Sequence, residues 1–332
     1  MFASAYQLGA EFSARARHFG QPLFVLAHQD DELNYAGLIS RLGPKTRFVW
    51  VTNGDGLYQE SNLGPGKYGD LRMAEAVRSV AAARIPEQNT RFLKFSEVEI
   101  YRHLAEIYGE AGGIHLRHPT SPRLRRARGY GGQGRLGAGG IGEPHRVFFD
   151  RIRVAVRNAL FEIDPDVVFT LAWQGGQPEH DLTHLFTMLA IHDFRRERGG
   201  KVEFFHLPEY EYTILLAMRF HPFYRGVRYR IRLTDDEMAV KQKMIDAYAS
   251  QARLFGEFRK VFTYIGRVGR FVGGPKSAEE YLSTEEFGPV PADLDYTAKP
   301  HSLDYFTYMF DHFEGTPVTF SRSIRPIVGT FI

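Results

Sequence analysis

Five short apolar runs punctuate the first two-thirds of the chain, and four stretches with helical spacing lie between them. The runs are PLFVLAH (Pro22–His28), TRFVWVTNGDG (from Thr46), TRFLKF (from Thr90), PDVVFTLAW (from Pro165) and KVEFFHL (from Lys201). Each reads as a strand, and PLFVLAH and PDVVFTLAW, with continuous apolar residues, as buried strands. The segments ELNYAGLISRLG, Gly69–Ile85, PHRVFFDRIRVAVRNALFEI and EHDLTHLFTMLAIHDFRRER carry apolar residues three and four apart, as helices do. Asp70 is a natural N-cap for the second of them. Strands alternating with helices predict an α/β fold, a mostly parallel sheet covered by helices on both faces.

In such a sheet, ligands bind beyond the carboxyl ends of the strands. Three of these ends carry polar residues of a chemical kind. The first strand runs into AHQDDE, which places His28, Asp30, Asp31 and Glu32 together. Adjacent carboxylates repel one another unless a positive charge lies among them, and a metal ion supplies one. His28 and Asp31 stand three apart where the chain turns into a helix, so both side chains can reach one ion. Asp30 lies between them, and Glu32 reads as a helix-start acid or a support behind the site. A catalytic zinc takes three protein ligands and keeps one open position. The third ligand is sought at another strand end, where QGGQPEHDLTH offers His180. The turn NGDG (Asn53–Gly56) has neither the glycine pattern of a dinucleotide site nor a P-loop lysine, and Asp55 is placed near a substrate there.

AHQDDE together with GGQPEHD resembles the paired motifs, A-H-P-D-D-E and H-P-D-H, of the PIG-L/LmbE-like zinc-dependent N-acetylsugar deacetylases. WVTNGDG, LRMAEA and KQKMIDAYASQ (Lys241–Gln251) add to the resemblance, which spans roughly residues 22 to 255. It implies a Rossmann-like three-layer sandwich and hydrolysis of an N-acetyl group on an amino-sugar conjugate of the N-acetylglucosamine type. By position, His28, Asp31 and His180 match zinc ligands, Asp30 the general base, and Arg72 a substrate contact. Two positions depart from the motifs. Gln29 replaces a proline, which changes no ligand. Gln177 stands where the family has a histidine that stabilises the oxyanion or protonates the leaving group. A glutamine donates a hydrogen bond but delivers no proton at neutral pH. Asp30, Glu179 or a loop histidine then supplies the proton. The alternatives are an impaired or non-catalytic sugar-binding homologue, or an amidase on another N-acyl conjugate. Iron, cobalt or manganese suit the same ligands as zinc.

The other features are weaker. His184 is one turn beyond His180, a spacing that can chelate zinc as in an H-x-x-x-H peptidase, but packing explains it equally simply. Asp181 could orient His180 or His28. His115, His118, His145 and His206 show no metal spacing. Arg228, Arg230 and Arg232 alternate with apolar residues, as on one face of a strand. With the Gly- and Arg-rich segment 112–144, they raise an anionic or lipid-linked sugar as the substrate. The chain of 332 residues carries a formal charge of +3, too little to imply nucleic acid. It has no cysteine, which excludes disulfides and thiolate metal sites. No stretch is long and apolar enough to span a bilayer and no secretory signal precedes the first strand, so a cytoplasmic protein is expected. Residues 1–255 are read as the catalytic domain and 256–332 as an extension packed on it, with little periodicity of its own.

Overall fold

The computed structural model describes residues 4–111, 140–210, 218–221, 223–272, 277–300, 303–304 and 307–332. Its centre is a sheet of seven strands: β1 (Pro22–Leu26), β2 (Arg47–Thr52), β3 (Thr90–Phe95), β4 (Val167–Leu171), β5 (Glu203–Leu207), β6 (Tyr229–Arg232) and β7 (Thr284–Pro289). Their order is β3-β2-β1-β4-β5-β7-β6. The five strands foreseen from the sequence pair in parallel, and β7 joins β5 and β6 antiparallel to both. The sheet is thus mostly parallel, as expected.

Successive residues on a strand face opposite sides, and the apolar runs use both. Leu23, Val25, Val49 and Val51 point into one core, beneath α4 (Glu97–Ala111), α5 (Glu143–Ile163) and α6 (Pro178–Arg198). Phe24, Leu26, Phe48 and Trp50 point into the other, beneath α1 (Ala5–Ala16), α2 (Ala36–Leu42), α3 (Pro65–Ala82) and α7 (Asp235–Asp246). On that side Phe92, Trp50, Phe48, Phe24, Phe169 and Phe205 stack in sequence from β3 to β5, Trp50 and Phe48 both on β2, with centroids 4.8–5.3 Å apart. Each such pair adds about 0.5–1.5 kcal/mol beyond its burial. The ladder fixes the register of the strands that carry the site.

Three helical expectations are revised. α3 begins at Pro65 behind Gly64, so Asp70 lies inside the helix and not at its cap; a proline in the first turn gives up no hydrogen bond, which makes Pro65 a good start. The chain after Asp31 first makes a 3-10 turn, Asp31–Tyr35, and α2 follows. The segment after Phe255 is more regular than its composition suggests. α8 (Ala252–Val272) runs on through it, α9 (Ala278–Leu282) and β7 follow, and α10 (Arg325–Phe331) buries Ile327 and Val328 in the first core.

The strand order reverses between β1 and β4, since β1 continues to β2 on one side while β4 lies on the other. A crevice opens at such a point, above the carboxyl ends of both strands. The residues that follow β1 and β4 are His28–Glu32 and Trp173–Asp181.

Candidate active site

Backbone geometry turns the first motif into a cup. Asp30 adopts a left-handed conformation (φ 94°), which aspartate tolerates better than most residues. Its N–H donates to Glu32 Oε2 (3.1 Å) and to the Tyr248 hydroxyl (2.9 Å), which hold the turn. Glu32 itself is fully buried and accepts from Ser79 Oγ (2.7 Å) and from the Tyr248 hydroxyl (2.6 Å), so it supports the site from behind. Burial pushes its carboxyl up to about 7. Gln29 is also buried and donates through Nε2 to the Thr52 carbonyl (3.1 Å), tying the end of β1 to that of β2. The residue that replaces the expected proline is thus a cross-strand tether. It needs Gly54: a Cβ there would stand 2.0 Å from Gln29 Oε1.

The metal-binding expectation concerns three side chains, and the fold brings them together. His28 Nε2 and His180 Nε2 are 3.0 Å apart, and His180 Nε2 lies 3.2 Å from Asp31 Oδ1. Asp31 Oδ2 accepts from the N–H groups of Ala27 and His28, both at 3.0 Å, which aims Oδ1 at the two rings. Donor atoms around a tetrahedral zinc with ligands at about 2.0–2.1 Å stand about 3.3 Å from one another, so this set fits such an ion. The electrostatics agree. Burial resists charge on His28, but Asp31, Asp30 and Glu97 outweigh it and hold its pKa well above 6.5. Burial would raise Asp31, but His28 and His180 pull it down. The site favours positive charge at its centre.

Around this group stand Asp30, Gln177 and Glu179. Asp30 Oδ1 is 3.2 Å from His28 Nδ1, and Oδ2 accepts from Arg72 Nη2 at 2.8 Å. Arg72 also donates to the Gln29 carbonyl and lies over the Tyr248 ring, 5.0 Å from its centroid. Gln177 Oε1 is 2.6 Å from His28 Nε2. Glu179 Oε1 is 3.8 Å from the same nitrogen, and its buried Oε2 has no hydrogen-bond partner among the described residues. All of these line one cavity of about 1230 Å³. Its inner end is polar. Its other walls carry apolar residues, Met238 and Ile245 of α7, Leu254, Phe258 and Phe262 of α8, and Leu282 of α9, interspersed with Lys241, Gln242, Arg259 and Glu279 of the same helices.

The model of the family described as PIG-L, GlcNAc-PI de-N-acetylase, matches residues 23–191, a span that holds both motifs. The chain belongs to the PIG-L family. Its fold is similar to solved structures of deacetylases. One, the zinc-inhibited form of teicoplanin deacetylase Orf2, is 15% identical with a TM-score of 0.52, over 82% of this chain and 100% of the other. A second, a deacetylase–teicoplanin complex from the teicoplanin biosynthesis pathway, is 16% identical with a TM-score of 0.52, over 81% of this chain and 97% of the other. A comparison with curated proteins gives no match.

Against the PIG-L motifs, other sequence expectations fall elsewhere in the structure. Asp55 was placed near the substrate, but its carboxylate is turned to the start of α4. It accepts from the Glu97 N–H (2.8 Å), the Val98 N–H (3.3 Å) and Ser96 Oγ (2.7 Å). It is a cap, and it does not line the cavity. Asp181 orients neither histidine; it accepts from the Gly175 N–H (3.1 Å) and the Tyr308 hydroxyl (2.9 Å). His184 is packed, its Nδ1 2.6 Å from the Leu171 carbonyl and its Nε2 3.0 Å from the Tyr296 hydroxyl. His206 Nε2 lies 2.8 Å from the Tyr224 hydroxyl. Arg230 pairs with buried Glu286, and Arg228 Nη2 donates to the Tyr224 carbonyl (2.9 Å), so the two serve the fold. Arg232 is exposed. His145 lies beside His103 and Glu106, a grouping the spacing conceals. His115 and His118, with most of the segment 112–144, lie outside the described residues. No described helix is long and apolar enough to cross a membrane.

Three cavity residues escaped the sequence reading. Glu97 accepts from Thr52 Oγ1 at 2.7 Å, Glu209 accepts from Asn34 Nδ2 at 2.5 Å, and Tyr210 stacks on His180 with centroids 5.8 Å apart. Burial raises both carboxyls, Glu209 well above the usual range. The available signal was position: each lies within two or three residues of a strand's carboxyl end.

Proposed function

We propose that this chain removes the N-acetyl group from an amino sugar carrying a long apolar aglycone, with a divalent cation held by His28, Asp31 and His180. One observation carries the reading: His28 and Asp31 of the His-Asp-His group line the same cavity as a set of apolar side chains from α7, α8 and α9. A cation bound there would acidify water and polarise the amide carbonyl. Zinc suits the two imidazoles and single carboxylate, though cobalt or manganese are alternatives.

The chain's own residues account for the proton transfers. Asp30, fixed by Arg72 through one oxygen, takes the proton of the attacking water through the other. The water oxygen bonds to the acetyl carbon, the C–N bond breaks, and acetate departs. The amine leaves with a proton that Gln177 has no means of giving. Glu179 gives it: it is two residues beyond Gln177, lines the cavity, and burial pushes its carboxyl up to about 7, so it can carry the proton it gives. Gln177 steadies the acetyl oxygen by donating a hydrogen bond. Arg72 is a positioning residue for Asp30, and its Nη1 lies 3.8 Å from Oε2 of the buried Glu75.

The test is acetate release from N-acetylglucosamine supplied free, as a phosphate, and as alkyl and lipid-linked glycosides, by zinc-loaded protein. Release from the alkyl or lipid forms that is lost in Asp30→Asn is expected. No release from any of them, with zinc bound, would favour a binding protein or an amidase on another N-acyl conjugate.

A further inference from the structure

We propose that His103, Glu106 and His145 form a second divalent-metal site, distinct from the one between β1 and β4. His103 and Glu106 lie one turn apart on α4 and so share a face of that helix. His145 comes from the first turn of α5. His103 Nδ1 and His145 Nδ1 face each other at 2.8 Å, and Glu106 Oε2 is 3.9 Å from His145 Nδ1. One donor atom from each residue falls within 4.8 Å of the other two.

The surroundings prepare these atoms for a cation. Glu110 Oε1 lies 3.3 Å from His145 Nε2. A carboxylate there accepts a hydrogen bond from Nε2–H, which keeps the proton on Nε2 and leaves Nδ1 with a free lone pair, the arrangement by which outer carboxylates set histidine ligands. The rings have little freedom. His145 is 4% exposed. The His103 ring stacks on Phe148 with centroids 4.1 Å apart and meets His145 edge-on at 5.1 Å. Glu106 is more open, with its side chain 38% exposed, so water can complete a four-coordinate shell. Two imidazoles and one carboxylate suit zinc, cobalt or nickel over magnesium or calcium. The site is separate from the first: Glu97, Val98 and Tyr101 of α4 line the catalytic cavity, and His103 and Glu106 do not. Metal here would tie the later half of α4 to the start of α5. Its role is to hold α4, which lines the cavity, to α5, which covers the sheet, not to take part in the hydrolysis.

The experiment is zinc stoichiometry by elemental analysis on the full chain, stripped with a chelator and dialysed against zinc chloride. Two zinc ions per chain are expected for the natural sequence. Asp31→Ala/His180→Ala should retain one, and adding His103→Gln/Glu106→Gln should remove it. In the Asp31→Ala/His180→Ala background, Glu110→Gln should weaken zinc binding about 10–100-fold, and cobalt should give a visible absorption band that His103→Gln/Glu106→Gln abolishes. Because Glu106 lies on the open rim, Glu106→Gln alone serves where a histidine variant fails to fold. A single zinc that Asp31→Ala/His180→Ala removes, or a second whose binding is indifferent to His103→Gln/Glu106→Gln, would overturn the proposal. Neither result bears on the His28 site, which the Asp31→Ala/His180→Ala variant reads separately.

Discussion

If the apolar walls of the cavity hold the aglycone, binding must strengthen with each carbon added to it. Burying a methylene contributes about 0.8 kcal/mol, which is about fourfold in affinity. A flexible chain loses rotamer freedom when it binds, so roughly half of that should survive, about twofold per carbon. Between the methyl and octyl glycosides of N-acetylglucosamine, KM should therefore fall by about a hundredfold, while kcat, set at the polar end, changes little. The apolar walls include Leu254, Phe258 and Phe262 of α8, Ile245 of α7 and Leu282 of α9. Phe258→Glu places a charge among them and should flatten the gradient while leaving the methyl glycoside unaffected. The assay is initial rates of acetate release across the series for both proteins. A KM indifferent to chain length, or a Phe258→Glu that harms the methyl substrate as much as the octyl, would refute the reasoning. The aglycone would then lie elsewhere.

The proton donor can be separated from the metal: Glu179→Gln should lower kcat by about 10²–10⁴-fold with zinc content unchanged, and Gln177→His should change it less. An equal effect of the two substitutions in steady-state kinetics would count against Glu179. Gly54→Ala must move the Gln29 carboxamide out of its bond to Thr52 and adopt φ +71° with a side chain. The cost should be about 2–3 kcal/mol in urea unfolding, and no loss would mean the tether is dispensable. His184 is buried, and burial lowers its pKa to about 4. The unfolded chain therefore binds a proton there that the folded one refuses, and this contribution to stability, up to about 3 kcal/mol, is lost as pH falls from 6.5 to 4. Relative to His184→Phe, the natural chain should lose that much between pH 7 and pH 4 in denaturant titrations; parallel curves would show the ring titrates normally.

The two motifs were legible because their chemistry is local. Three acids in a row after an apolar strand have few structural reasons to exist, and strand order alone put His180 opposite them. The helices α4 and α7 were harder, since their role is to cover a sheet whose edges the sequence does not mark. α8 was hidden for a different reason: its apolar face packs on the short α9 and lines the cavity, so its periodicity has no long partner run to confirm it. Asp55 shows where position stops being enough. Like Glu97 and Glu209, it sits at a strand end, but Ser96 and two backbone N–H groups at the start of α4 claim its carboxylate. Which acid faces the ligand and which caps a helix depends on contacts forty or more residues away. The grouping of His103 with His145 was unreadable for the same reason, because the two meet only when α4 and α5 lie side by side.

The second motif also depends on residues far beyond it. Gly176 has φ +91°, and a Cβ there would stand 2.6 Å from Tyr210 Cβ, so the chain passes closely beneath the residue that stacks on His180. The Gly176 N–H donates to the Thr307 carbonyl and the Met309 N–H to the Gly176 carbonyl, both at 2.6 Å. Tyr308, between them, donates its hydroxyl to Asp181. The turn that delivers Gln177, Glu179 and His180 is thus clamped from its outer side by a segment more than a hundred residues later. Met309 and Phe310, next to the clamp, reach the cavity wall. The segment that steadies this turn therefore also shapes the space beside it, which couples the placing of Gln177, Glu179 and His180 to the fit of whatever fills the cavity.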